Sequence, residues 1–107
     1  MSAHGEYDMT DLLMLIVTER ADGLSVVPGQ APAVRVRGEV HAIDGPSISP
    51  EHAKALLRSL AVTRQMRDLH EHGRTDFLFT FRETARFRLE ARRENDEVRF
   101  QIQTIEL

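Results

Sequence analysis

Cysteine is missing from all 107 residues, which removes disulfides, thiolate metal sites and cysteine nucleophiles together and fits a reducing compartment. Long apolar runs are missing too. The longest, Leu12 to Val17, is far short of the roughly 20 residues that cross a bilayer, so no transmembrane segment is expected and the chain reads as cytoplasmic. The opening Met1-Ser2-Ala3-His4-Gly5-Glu6 has neither a basic stretch nor an apolar centre, and so is no secretory signal. No GxxxxGK(S/T) phosphate loop, GxGxxG turn or HExxH helix occurs. Lysine is almost absent: of 14 basic residues only Lys54 is a lysine, and the rest are arginine. Genomic base composition accounts for such a bias, and so does selection for forked contacts to phosphate or carboxylate. The net charge of −3 gives no pull towards nucleic acid or anionic lipid, and no nucleic-acid partner is expected.

What is present suffices for one core: 41% of residues are apolar and 29% charged, in a length typical of one domain. Residues 1–7 read as a flexible lead-in and residues 8–107 as a single domain. Met9, Leu12, Leu13, Ile16 and Val17 recur at helical spacing. Asp8 or Thr10 can cap that helix, and Gly23 can end it shortly after Arg20. Leu24 to Val27 reads as a short strand. Pro28 to Pro32 reads as a turn, and Ala33–Arg37 and Glu39–Ile43 as two strands of period two about Gly38.

Ser49 followed by Pro50 opens a second helix carrying Ala53, Leu56, Leu57 and Leu60. Thr63 can cap a third, with Met66 and Leu69, stopped by Gly73. Three alternating strands follow, marked by Phe77, Phe79 and Phe81, then Phe87, Leu89 and Ala91, then Val98, Phe100 and Ile102. The connections Arg82–Thr84 and Arg93–Asp96 are short, which predicts an antiparallel meander. The order α-β-β-β-α-α-β-β-β with short links gives an α+β fold: one antiparallel sheet of about six strands with helices on one face. The phenylalanines mark the core face. The other face carries Arg86, Arg88, Arg92 and Arg99, with Arg35 and Arg37 expected to join them.

Several segments together carry a family likeness. Met9-Thr10-Asp11-Leu12-Leu13, Pro28-Gly29, Pro32-Ala33-Val34-Arg35-Val36-Arg37-Gly38-Glu39, Thr75-Asp76-Phe77-Leu78-Phe79, Ala85-Arg86-Phe87-Arg88-Leu89 and Gln103-Thr104-Ile105 occur in order across nearly the whole chain. In this order and spacing the sequence resembles the N-terminal domain of the secretion-type hexameric ATPases, nearest to the PilT-type pilus retraction motors. The resemblance implies a PAS-like domain. In the motors a RecA-like ATPase domain follows it, and this chain ends where the connecting linker would begin. The expectation is therefore a non-catalytic chain with no cofactor of its own. The pattern is broken twice. The family's Ser-Asp-x-His is here Asp22-Gly23-Leu24-Ser25, and its R-x-N is here Arg88-Leu89-Glu90.

By the same resemblance Arg86, Arg88 and Arg35 are the positions that would approach a nucleotide held by a neighbouring ATPase domain, since a guanidinium on a rigid strand can fork onto phosphate oxygens. The alternative is a solvated face with cross-strand partners such as Glu90. His70-Glu71-His72 is no metal site on a helix, because residues two apart point to different sides. Asp76 reads as a turn or edge contact. The leading expectation is a protein-interaction or accessory module that meets a PilT- or PilB-type ATPase or associates with itself, at the inner face of the membrane through such partners. The alternatives are a PAS-like small-ligand sensor with a pocket under its helices, or part of a full-length motor contributing arginines to a neighbour's ATP site.

Overall fold

A computed structural model describes residues 7–107, so the expected lead-in lies, but for Tyr7, outside the described residues. Helix α1 spans Met9–Glu19, with Asp8 in extended conformation accepting from the Thr10 amide at 2.8 Å. Its end differs from expectation. Arg20, not Gly23, is the stop: it adopts a left-handed conformation at φ 54°, and the following Ala21 amide closes onto the Ile16 carbonyl at 2.9 Å. Gly23 instead opens strand β1 (Gly23–Val26).

Strands β2 (Ala33–Val36) and β3 (Glu39–Ala42) form a hairpin. The two residues between them, Arg37 and Gly38, both have positive φ (53° and 83°), the twist that matches flanking strands. Arg37 is therefore a turn residue and does not join the strand row. Helix α2 (Pro50–Arg58) begins as expected, with Ser49 Oγ accepting from the His52 amide at 3.0 Å. Helix α3 covers Thr63–His72, and here Thr63 is the first helical residue rather than the cap. The cap position is Val62, which has no side-chain acceptor; Gln65 Oε1 reaches back to accept the Val62 amide at 2.9 Å. Gly73, left-handed at φ 81°, ends the helix.

The last three strands are β4 (Arg74–Phe81), β5 (Ala85–Glu94) and β6 (Glu97–Glu106). The β5–β6 connection is only Asn95-Asp96, again with both φ positive, so Arg93 and Glu94 belong to the strand. The sheet order is β3-β2-β1-β6-β5-β4, every neighbour antiparallel. Two three-stranded meanders thus join along β1 and β6. The α+β fold, its element order and its helices on one face agree with the sequence pattern.

Burial alternates along the long strands and sets the core. Phe87, Leu89, Val98 and Ile102 point inward against Ile16, Leu57 and Leu69 of the helices. Phe77, Phe79 and Phe81 lie on the same side of the edge strand but are only partly covered. Ile48, in the loop before α2, is fully buried and was not expected in the core. Arg93 faces the helices as well. Its guanidinium donates to the Leu69 and His70 carbonyls at 3.4 and 2.9 Å, a favourable place for a cation at a helix C-terminus.

Candidate functional site

Because successive residues of a strand face opposite ways, everything that alternates with the core lies on one open surface. The register arranges that surface into rows running across the strands. One row reads Val40, Arg35, Gly23, Gln103, Arg88, Leu78 from β3 to β4. The next reads Ser25, Gln101, Glu90, Asp76. Beyond it stand Arg99, Arg92 and Arg74, directly opposite one another on three strands. Arg86 lies at the other end of β5, paired with Glu106 after a bulge in the β5–β6 ladder.

The three arginines singled out from the sequence do share this face, but in different electrostatic states. Arg88 is held by two carboxylates: its Nη2 meets Asp76 at 2.5 Å, and its Nε lies 3.4 Å from Glu90. That Nε is buried without a well-formed hydrogen bond. Glu90 stands where the resemblance implies an amide, and its carboxylate is the second partner of Arg88. Arg86 is half-exposed and only loosely paired with Glu106 at 3.8 Å. Arg35 has no ion-pair partner among the described residues. It sits three strands from Arg88, about 14 Å at the usual strand spacing, on the rim of a cavity of about 190 Å³ over Gly23.

The other candidates resolve into local roles. Asp76 is a cross-strand partner of Arg88. His52 Nε2 lies 2.7 Å from the Tyr7 carbonyl oxygen, and the two rings stack with centroids 6.1 Å apart. The Tyr7 hydroxyl donates to the Pro46 carbonyl at 2.7 Å, and burial, with the negative Asp44 nearby, raises its pKa above the ordinary value. His41 is 3.5 Å from Glu39 on the exposed edge strand. Asp22, in the broken Ser-Asp-x-His segment, accepts the Gly38 amide at 3.3 Å and so ties the β2–β3 turn to the start of β1. Arg74 was missed by sequence reasoning. Its signal was the alternation already seen in Asp76, Leu78 and Thr80, extended by one step backwards.

Over 88 residues, 82% of its length, this chain is 33% identical to the type IV pilus retraction ATPase PilT of Pseudomonas aeruginosa. The chain has the likeness of the N-terminal domain of PilT-type ATPases. It covers 26% of that relative's own length. No family model matches. Among solved structures, a crystal structure of the pilus retraction motor PilT with bound ADP superposes at a TM-score of 0.85 with 20% identity, covering 94% of this chain and 29% of that one. The Legionella pneumophila ATPase DotB superposes at 0.78 with 16% identity, covering 97% of this chain and 31% of that one. At such identities the structures establish the fold alone. The fold is that of the PilT N-terminal domain, and no described helix is long and apolar enough to cross a membrane.

Proposed function

We propose that this chain works as a non-catalytic, PilT N-terminal-like module, residues 8–107, that docks on a PilT-type motor ATPase in the cytoplasm or at the inner face of the membrane. The observation that carries this reading is the sequence match to PilT, which spans 82% of this chain and 26% of that relative. The 107 residues contain no GxxxxGK(S/T) loop to cradle nucleoside phosphates. What the chain can offer is guanidinium groups on a rigid sheet, turned towards a nucleotide that another domain holds.

The geometry ranks those groups. Arg35 and Arg86 can turn to an incoming phosphate at small cost, since one has no carboxylate partner among the described residues and the other only a distant one. Arg88 would have to leave Asp76 and Glu90 first. A mixture of the full chain with a PilT-type ATPase, read by biolayer interferometry with and without ADP, tests the proposal. Association is expected, weakened by Arg35→Ala and Arg86→Ala more than by Arg88→Ala. Absence of association in either nucleotide state, or ATP hydrolysis by the purified chain alone, would sink it.

A further inference from the structure

We infer that the row Arg74–Arg92–Arg99 is a docking strip for a helix of a partner protein that carries acidic residues on successive turns. The row lies further along β5 than the arginines singled out from the sequence: Arg92 is six positions, about 20 Å, from Arg86 and four positions, about 14 Å, from Arg88, which lines the same depression as Arg74 and Arg92.

Three arginines stand directly opposite one another on adjacent strands, a placement in which like charges repel. The fold does little to neutralise them. Arg99 pairs with Glu94 at 3.2 Å, but Arg74 and Arg92 have no ion-pair partner among the described residues. Carboxylates flank the row, with Asp76 opposite Glu90 on one side and Glu94 opposite Glu97 on the other, but among the described residues only Glu94 forms an ion pair with it, at Arg99.

The spacing selects the partner. Neighbouring strands lie about 4.8 Å apart, so the three Cα positions step across the sheet at that interval. Acidic residues on successive helical turns recur at about 5.3 Å along the axis, which matches. Alternate residues of an extended peptide recur at about 6.8 Å, which does not. The strip is also narrow. Asp76 and Glu90 lie one row to one side, and Glu94 and Glu97 face each other on the other side. Those flanking carboxylates repel the broad negative surface of a nucleic acid, and fit a helix whose acidic stripe is bordered by basic residues. The surface is concave at both ends of the strip. Arg92 lines both a cavity of about 300 Å³ beside Ser25 and Phe100 and a broader depression of about 770 Å³ beside His72 and Arg74.

The test uses the full chain and a labelled alanine-rich helical peptide with Glu at positions i, i+4 and i+7 bordered by Lys. Fluorescence anisotropy should show binding at low salt, lost as ionic strength rises past roughly 0.1–0.2 M. Arg92→Gln should weaken it about tenfold, and Arg64→Gln on α3 should leave it unchanged. The melting temperature of Arg92→Gln should stay level or rise, because repulsion is relieved. Equal binding by a scrambled peptide of the same composition, or by a single-stranded oligonucleotide, would overturn the inference. So would a lowered melting temperature, which would mark Arg92 as structural, or a dimer of this chain that Arg92→Gln dissolves.

Discussion

A Cβ built on Gly23 would come within 2.6 Å of the Ile102 carbonyl oxygen on the neighbouring strand, and that atom is backbone. Glycine is thus demanded by the closeness of β1 to β6, the seam on which the two meanders meet. Gly23→Ala should destabilise the fold by about 1–3 kcal/mol, the usual cost of forcing atoms into a filled space. Urea denaturation measures it, and an unchanged midpoint would show that the seam can open to admit a methyl group. From sequence the same glycine looked like a helix stop, because a glycine three residues past a helix is common there and the β1–β6 pairing is a contact nearly 80 residues apart. Arg88 is a second case. Its pairing with Glu90, expected across strands, is local to β5, and its cross-strand partner is Asp76, a contact that depends on the β4–β5 register.

At the scale of elements, the helix termini are set by side-chain caps at Asp8 and Ser49 and by left-handed residues at Arg20 and Gly73. Ser49 is a strong cap, and Ser49→Ala should cost about 1 kcal/mol of stability. Arg20 holds a left-handed conformation that strains a side chain bearing a Cβ. Arg20→Gly is therefore expected to stabilise, by up to about 1 kcal/mol. Thermal unfolding followed by circular dichroism should move in opposite directions for the two variants; a shared direction would contradict the assigned caps. Strands and helices were legible because their periods of 2 and 3.6 residues are long and regular here. The ends were less so. Thr63 outranks Val62 as a cap by residue type, yet Gln65 supplies the acceptor from inside the helix. Ile48, flanked by Ser47 and Ser49, shows no period at all, and its burial follows from the loop's path: its amide donates to the Gln30 carbonyl at 2.9 Å.

At the scale of the whole molecule, Tyr7 joins the approach to α1 to the turn at Pro46 and to the ring of His52 on α2. The folded state raises the Tyr7 pKa, through burial first and the charge of Asp44 second, so it holds the phenolic proton more tightly than the unfolded chain does. Stability is then unaffected below the ordinary tyrosine value near roughly 10 and falls as pH rises through the folded-state value. Tyr7→Phe should lack that component of alkaline destabilisation, and urea midpoints measured on either side of this range would reveal it; parallel curves for the two proteins would exclude it. The sequence by itself determined the α+β class, the order of elements, the core face of each long strand and the likeness to PilT-type N-terminal domains, because period, turn residues and motif order are all properties of neighbours along the chain. Only the tertiary structure decided that β1 joins β6, that Arg35 and Arg88 share a row three strands apart, and that Arg74, Arg92 and Arg99 stand opposite one another. The arginines dominate the basic residues of this sequence, but which of them meet is a matter of register, and register is fixed by packing between strands that are distant in the chain.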